Sequence, residues 1–481
     1  REDWGFEGYV VSDCGAIHDI FTGHKFTETA EQAAAVAVKS GTDLNCGGTY
    51  AALNRAVEQG LLSEAEIDTS LRRLLTARFR LGMFDPDEKV LGLPLAIGLV
   101  KAGHKVRLVQ NRTAADLAAG KVLSSQCVFG TAREQERKLG LDLWDQEAPA
   151  ITGMRIAVAA PDGSGNRAFG FVGNLAAPAQ SVDQRVKFPR FMEMFTGLGG
   201  DLEIGEAGIA ELERYASDSD LVIVAAGKGA VSQLFARDAE RSPYDKPMRA
   251  LSLVYTKGTR PYDQTCVTAT LIPGAGELFM IPALTTSGPC EILFFEAGPG
   301  GPLDAFEPSM DAEAQLAKIK ALIRQFVSWE YERIADATPT DINAGLVGRF
   351  APTIRKGVGT LPSGKPVLGL ADAVILNDPI VGQGSNNAMK AATIYLDAIV
   401  KRGNGAFDPA WMNATFETAF SRVEASTNWS NMILMPPPPH VVDLLARASS
   451  KQALADKVAQ GFDEPATIVP LFADPALAAA A

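Results

Sequence analysis

The sequence predicts an α/β protein built from two unlike parts. Over about the first 89 residues, short strands alternate with helices, which is typical of parallel β/α units. A helix–glycine–strand unit then begins at Leu93, and runs with period-two patterning follow it. Because alternation with period two indicates strands with one buried face, the second part is predicted to combine a nucleotide-binding α/β layer with an antiparallel sheet.

The first part is predicted to hold two β/α units. Gly8–Val11 is a short apolar run that ends at Ser12 and Asp13, as a buried strand does when it delivers a polar residue at its carboxyl end. A second short strand is predicted at 42–46. The predicted helices cover 27–40, 50–59 and a longer segment that opens with the capping box of Ser63 and Glu66.

The second part carries three nucleotide-binding signals. A helix at 93–102, closed by Gly103, leads into a strand at 105–110. The segment 220–227 is an acidic residue, a strand and a small-residue turn. The segment 367–386 is a strand, an acidic loop and a glycine-rich turn that opens a helix. Glycines let a helix N-terminus approach a pyrophosphate or flavin edge, and a carboxylate accepts hydrogen bonds from ribityl hydroxyls, so these motifs together predict a flavin site.

The beginning of this nucleotide-binding unit departs from its usual pattern. If Gly92 is the third glycine of a Gly-x-Gly-x-x-Gly loop, the first two positions hold Asp87 and Lys89. No apolar strand precedes them, because the charged stretch 85–89 follows a helix directly. The sequence therefore predicts a seam between the two parts at about 84–92.

Composition limits the classes of partner and compartment. The net charge of −12 argues against nucleic acid and an anionic membrane surface as partners, and the apolar runs are too short to span a bilayer. The five cysteines are scattered, without CxxC spacing, so reduced thiols and no metal site are expected. With no recognisable signal peptide, these features predict a cytoplasmic location. The tail 474–481 is expected to fray.

The first part resembles glycoside hydrolase family 3, and most of all its β-xylosidase branch. The motifs that carry the resemblance are Trp-Gly-Phe-x-Gly-Tyr-Val-Val-Ser-Asp at 4–13, Gly-Thr-Asp at 41–43 and Ala-Arg-Phe-Arg-Leu-Gly-Met-Phe at 77–84. The resemblance implies that residues 1–89 are a fragment of a (β/α) barrel and that Asp13 is the nucleophile. A retaining glycosidase also needs an acid/base carboxyl about 5 Å away, which the segment is not expected to supply, so the remnant is predicted to be inactive.

The second part, from about Gly92 to 473, resembles styrene monooxygenase, a flavoprotein with the hydroxybenzoate-hydroxylase-like fold. Stretches that carry the resemblance are 183–189, 242–247, 378–384 and 426–429. It implies FAD-binding parts at about 90–150, 184–247 and 345–400, substrate-sheet parts at about 151–183 and 248–344, and a C-terminal helical part at 401–481. The residues that it assigns to the FAD site are Gly92, Arg112, Gly227, Asp372, Pro379, Gly382, Gln383, Gly384 and Asn386.

The same resemblance implies a chemistry and its partners. A C4a-peroxyflavin would epoxidise a small aromatic alkene such as styrene or indole with O2, while a separate NADH-dependent flavin reductase supplies the reduced flavin. A homodimer is an expected assembly. Ala371 stands where a glycine usually precedes the acidic residue, and Asp87 and Lys89 replace loop glycines, so FAD binding is expected to be weakened.

Three functions therefore remain open at this point. The first is a flavin-dependent epoxidase with a passive N-terminal appendage. The second is a fragment of a family 3 β-xylosidase or β-glucosidase, and the third is an inactive fusion or misassembled chain. Two of eight barrel units and one catalytic carboxyl make the glycosidase the weakest of the three.

Overall fold

The computed structural model describes residue 6 and residues 8–80, 92–226 and 229–481. The chain divides into two compact units, residues 1–86 and 87–481. The seam predicted at 84–92 lies outside the described residues except for Gly92, and so do Asp87 and Lys89.

The first unit consists mainly of helices. They are α1 (Ala16–Thr22), α2 (Ala30–Lys39), α3 (Leu53–Glu58) and α4 (Glu64–Arg80). The two predicted strands meet only at one isolated parallel bridge, between Val11 and Leu44. Val11 is 52% exposed, so the predicted buried strand at 8–11 is wrong for this residue. A strand in a parallel sheet is buried by neighbouring strands on both sides. Among the described residues, no further strand flanks the segments joined by the bridge between Val11 and Leu44. The barrel fragment stays a prediction.

Two cysteines of the first unit are joined, which corrects the expectation of free thiols. Cys14 and Cys46 form a disulfide. The bridge between Val11 and Leu44 brings the two chain segments side by side, and the backbone N–H of Gly15 donates to the carbonyl of Cys46 at 2.8 Å. The other cysteines, Cys127, Cys266 and Cys290, are free thiols.

The second unit alternates strands and helices before it ends in helices alone. Its strands are β1 (Arg107–Gln110), β2 (Ile151–Ala159), β3 (Arg167–Ala179), β4 (Asp201–Ile204), β5 (Ile223–Val224), β6 (Ala250–Lys257), β7 (Cys266–Ile272), β8 (Gly276–Thr285), β9 (Gly288–Ala297), β10 (Thr338–Pro339), β11 (Gly345–Gly348), β12 (Thr353–Ile354), β13 (Val358–Thr360), β14 (Pro366–Gly369) and β15 (Ile375–Leu376). Its helices are α5 (Leu93–Lys101), α6 (Ala114–Ala119), α7 (Gly130–Lys138), α8 (Gln184–Gly197), α9 (Ile209–Asp218), α10 (Gly229–Ser232), α11 (Ala312–Phe326), α12 (Ser328–Ile334), α13 (Gly384–Arg402), α14 (Pro409–Ile433), α15 (Pro439–Ala448), α16 (Gln452–Gln460), α17 (Val469–Ala473) and α18 (Pro475–Ala480).

An eight-stranded sheet forms the largest core. Its order is β10-β6-β9-β8-β7-β2-β3, with β11 also paired to β6, and all pairs are antiparallel except β2 with β7. One face packs against α11, where Gln315 Nε2 donates to Ser252 Oγ at 2.7 Å. Because side chains alternate across a strand, Tyr255 points to the opposite face, where its hydroxyl donates to the Ser124 carbonyl at 2.9 Å.

The nucleotide-binding layer contains two separate parallel pairs. β1 pairs with β4, and β5 pairs with β14, which also carries β13. Helix α5 packs between them, because Leu93 and Ile97 belong to the apolar cluster around α8 whereas Leu95 and Leu99 belong to the cluster around β14. Among the described residues no strand joins the two pairs into one sheet.

Helices α15 and α16 pack on β3 of the large sheet, and α18 packs on α15 and α17 at the end of the chain. The expectation that the tail frays is wrong, because residues 475–480 form α18, Ala478 is buried and its carbonyl accepts a hydrogen bond from Arg447 Nη2. No helix in the described part of the chain is long and apolar enough to cross a membrane.

Candidate functional site

Two of the sequence-predicted residues, Gly92 and Asp372, lie at the carboxyl ends of the parallel pair β5–β14. Gly92 is the N-cap of α5, and a Cβ on it would lie 3.5 Å from the Cβ of Ala225, which directly follows β5. Asp372 follows β14, whose Gly369 pairs with Val224. The start of α5, the small-residue turn after β5 and the acidic loop after β14 thus occupy the edge of the sheet at which α/β proteins bind nucleotides.

Ala371 has a backbone conformation that normally selects glycine. Its φ is 52°, in the left-handed region, and its side chain is buried. The residue begins a single 3₁₀ turn, Ala371–Ala373, that carries Asp372. The sequence therefore departs from the glycine pattern while the backbone keeps the conformation that the glycine would adopt.

A second turn follows, at 378–384. Asp378 caps the 3₁₀ turn Pro379–Val381 by accepting from the Ile380 N–H at 3.2 Å, and its carbonyl accepts from Ser430 Oγ at 3.0 Å. Gly382 has a φ of 66°, so this position too requires left-handed backbone. The turn ends where α13 begins, at Gly384, beside which an added Cβ would meet nothing within 4 Å.

The side chains of Gln383 and Asn386 are used within the protein. Gln383 Nε2 donates to the carbonyls of Val381 at 3.2 Å and Phe462 at 2.6 Å. Asn386 Nδ2 donates to the carbonyls of Cys127 and Gly382. Its Oδ1 accepts from the N–H of Phe129 at 2.9 Å. Both side chains are fully buried, so they fix the shape of the turn, and the groups that the turn offers to a ligand are backbone N–H groups at the start of α13.

Two other residues were predicted to bind the cofactor, Arg112 and Gly227. Arg112 lies in the bend after β1 and acts electrostatically on Asp116 at the start of α6. Gly227 lies outside the described residues. Two amides that the sequence reasoning missed lie at the carboxyl end of β1, where Gln110 is the last residue of the strand and Asn111 follows it. Each has one buried amide atom, Gln110 Nε2 and Asn111 Oδ1, without a hydrogen-bond partner in the described part of the chain.

A large cavity opens on the sheet face that carries Tyr255. Its volume is about 880 Å³, and Ile380 of the turn at 378–384 borders it. The floor consists of inward-facing residues of β2, β7 and β8, and the walls come from α14, α15 and the proline-rich segment between them. Representative lining residues are Ile156, Ala269, Leu271, Phe279, Phe420 and Trp429. The period-two pattern predicted these strands, but it does not reveal which face a cavity adjoins.

Charged groups are concentrated between the cavity and the turn. Arg249 forms a two-pronged ion pair with Glu277, with Nε–Oε2 at 2.8 Å and Nη2–Oε1 at 2.9 Å. Glu277 lines the cavity and lies opposite Glu296 across β8 and β9. Burial, reinforced by the nearby Asp378 carboxyl, raises the pKa of Glu296 well above its ordinary value.

In the first unit, Asp13 is exposed and its Oδ1 accepts from the N–H of Cys14 at 2.8 Å. The nearby Asp43 is buried, accepts from the Val10 N–H at 2.9 Å and pairs with Arg73 at 3.3 Å. An acid/base residue has to contact the leaving group, whereas the Asp43 side chain is buried and bound to the Arg73 guanidinium and a backbone amide. Across the residues that the structure describes, no three His, Cys, Asp or Glu side chains converge as metal ligands.

The fold of the second unit resembles that of solved flavin-dependent enzymes. Solved structures that it resembles include halogenases and monooxygenases of that class. A flavoprotein/dehydrogenase from Cytophaga hutchinsonii matches with a TM-score of 0.58 and 13% identity, over 82% of this chain and 97% of the other. At that identity the likeness shows the fold alone.

Sequence comparison matches two different parts of the chain to two different families. Residues 227–333 match the family profile described as "Styrene monooxygenase A putative substrate binding domain", and residues 1–77 match the glycosyl hydrolase family 3 N-terminal domain. The styrene monooxygenase StyA of Pseudomonas fluorescens is 28% identical over 383 residues, 78% of this chain and 91% of that protein. The xylan 1,4-beta-xylosidase of Xylanibacter ruminicola is 44% identical over 112 residues, 22% of this chain but only 13% of that enzyme. The chain is thus chimera-like, with each part similar to a different family.

Proposed function

We propose that residues 92–481 are an FAD-dependent monooxygenase that epoxidises styrene- or indole-like aromatic alkenes. The observation that carries this proposal is the apolar cavity of about 880 Å³. Ile380 of the turn at 378–384 borders this cavity, so a ligand inside it would lie next to the turn. Pockets for small ligands are typically about 300–1,000 Å³ and largely apolar, so the chamber suits an aromatic hydrocarbon. The similarity to StyA supports the choice of reaction.

The described residues fit a flavin at the ring and ribityl end. Helix α13 is 19 residues long and begins without a side-chain cap, so its first N–H groups and its dipole favour an electron-rich partner. The left-handed backbone at Ala371 and Gly382 shapes the two turns that would hold the cofactor. Asp372 would accept hydrogen bonds from ribityl hydroxyls. Bound FAD would supply the oxygen-activating chemistry, which no side chain can provide.

The protein's own contribution would be orientation and exclusion of water. Phe279, Phe420 and Trp429 offer flat apolar surfaces against which an aromatic ring can pack. A dry chamber also protects a reactive oxidant from hydrolysis. Reduced flavin would come from a separate NADH-dependent flavin reductase, as the resemblance implies.

The test combines purified protein, NADH, a flavin reductase and O2 with styrene or indole, at an FAD concentration high enough to offset the weakened binding that Asp87 and Lys89 predict. We expect styrene oxide by chiral gas chromatography and indigo by absorbance, in both cases only when the reductase is present. Quenching of FAD fluorescence measures cofactor binding in the same preparation. FAD binding without either product would reject the epoxidation while leaving a flavoprotein, and absence of FAD binding would reject the proposal.

A further inference from the structure

Three carboxyl groups share a single cation beneath the cavity. Glu277, Glu296 and Asp378 are buried together, with relative exposures of 6%, 0% and 2%. Arg249 is the one cation that acts on all three among the described residues, and its ion-pairing hydrogen bonds are made to Glu277. The remaining two carboxyls therefore cannot both be ionised without burying two uncompensated negative charges side by side, which is costly in a protein interior.

The two remaining carboxyl groups are close enough to share a hydrogen bond. The Glu296 side chain lies within hydrogen-bond reach of Asp378, and no N–H or O–H of another described residue reaches either of its oxygens. Ionised carboxylates only accept hydrogen bonds, so this contact requires that one of the two groups holds a proton.

This hydrogen bond links the large sheet to the turn at 378–384. Glu296 belongs to β9, whereas Asp378 caps the 3₁₀ turn through the Ile380 N–H. We propose that Glu296 is a positioning residue for the turn at 378–384, which it holds against the sheet through a proton shared with the Asp378 carboxyl group. The value of this position for flavin binding rests on the function proposed above, but the shared proton does not.

The proposal has a definite pH dependence. Burial raises the pKa of Glu296 and of Asp378 above their ordinary values, and the Arg249 guanidinium opposes the increase at both. Burial also raises the pKa of Glu277, against the effect of Arg249. A carboxyl with a raised pKa in the folded state binds more protons folded than unfolded. Its contribution to stability is therefore complete below the ordinary carboxyl pKa and is lost as the pH rises through the raised value.

The experiment compares the full-length wild-type chain with Glu296→Gln, Glu296→Ala and a control, Glu332→Gln. The amide introduced by Glu296→Gln can donate the hydrogen bond without titrating, whereas Glu332 is exposed on α12. Chemical unfolding is followed from pH 5 to pH 9. Between the two pKa values, a one-proton difference changes the folding constant by up to tenfold per pH unit. As the pH rises, we expect the free energy of unfolding of the wild type and of Glu332→Gln to fall more steeply than that of Glu296→Gln.

Hydrogen exchange of a peptide spanning 378–387 reports the turn directly and needs no flavin. After correction for intrinsic rates, exchange should increase at least tenfold in Glu296→Ala at neutral pH and stay within twofold of wild type in Glu296→Gln. Infrared spectra should show one protonated-carboxyl band that disappears in Glu296→Gln. The proposal would be overturned if the free energy of unfolding had the same pH dependence in the wild type and Glu296→Gln. It would also be overturned if hydrogen exchange of the turn were unchanged in Glu296→Ala. If FAD does not bind to any variant, only the proposed function fails, because these readouts are taken without cofactor.

Discussion

The two parts of the chain differ in how similar they are to their relatives and in how much of each relative they cover. A stretch of 112 residues is 44% identical to a xylosidase but covers 13% of that enzyme, whereas a stretch of 383 residues is 28% identical to StyA and covers 91% of it. The first unit keeps Asp13, the predicted nucleophile, while the buried Asp43 of the same unit is ion-paired with Arg73. The second keeps turns, a helix N-terminus and a cavity that adjoin one another. Catalysis depends on a complete constellation of groups, so local identity is the poorer guide to function.

The sharpest way to break this comparison is to look for glycosidase activity. We expect no hydrolysis of nitrophenyl xylosides or glucosides above the rate in buffer, because protonation of the leaving group needs a second carboxyl that Asp43, bound to Arg73, does not provide. The assay compares the wild type with Asp13→Ala. Hydrolysis in the wild type that is lost in Asp13→Ala would show that the first unit is a working enzyme.

The next largest effect concerns the start of the second unit. Asp87 and Glu88 would place negative charge beside a diphosphate, and a like-charge pair at about 4 Å costs roughly 4 kcal/mol at an effective dielectric constant near 20. A loss of that size weakens binding by about a thousandfold. Replacing residues 1–91 by an apolar strand ending in Gly-x-Gly-x-x should restore tight FAD binding, measured by fluorescence quenching, and with it indigo formation at low FAD concentration. Tight FAD binding by the unaltered chain would contradict this prediction.

The disulfide offers a test that should affect one unit only. Cys14 and Cys46 are 32 residues apart, and closing a loop of that length stabilises a fold by about 3–4 kcal/mol in the chain-entropy model. We expect the double variant Cys14→Ser/Cys46→Ser to destabilise the first unit by about that amount, seen as an earlier unfolding transition. Flavin binding should not change. The double variant Cys127→Ala/Cys290→Ala, which removes two free thiols of the second unit, is the converse control.

Filling the cavity should sharpen the assignment of the substrate site. Ala269 lies on the cavity floor in β7, so Ala269→Phe would occupy space that an aromatic alkene needs. We expect epoxide formation to fall by about tenfold or more, which corresponds to about 1.4 kcal/mol, while FAD affinity is retained. Thr286→Phe, on the exposed turn between β8 and β9, is the matched control. Equal turnover by both variants would place the substrate elsewhere.

The sequence predicted local elements better than their surroundings. The strands β6 to β9 and the helix after Gly384 follow from periodicity and glycine placement, which are local properties. The Cys14–Cys46 bond was missed although Cys14 follows one predicted parallel strand and Cys46 ends the other, because pairing depends on which strands become neighbours. Gln383 and Asn386 were assigned to the cofactor, but their amides bind backbone groups from distant parts of the chain, such as Phe462 and Cys127. Sequence spacing contains no information about such contacts, nor about the face on which a cavity forms.

The smallest expected effect concerns Ala371, which stands in the second unit where a glycine usually precedes the acidic residue. A left-handed conformation costs a residue with a side chain about 1–2 kcal/mol, and Ala371→Gly would remove that cost. The variant also loses a buried methyl group, worth about 0.8 kcal/mol, and gains unfolded-state freedom worth about 0.4–1 kcal/mol. The terms nearly cancel, so the free energy of unfolding should change by less than about 1 kcal/mol. Ala373→Gly, buried in the same 3₁₀ turn without a positive φ, has the two losses but no relief of strain and should be destabilised by about 1–2 kcal/mol. The two variants are compared by urea unfolding, and equal destabilisation would mean that Ala371 is not strained and that the missing glycine has no energetic consequence.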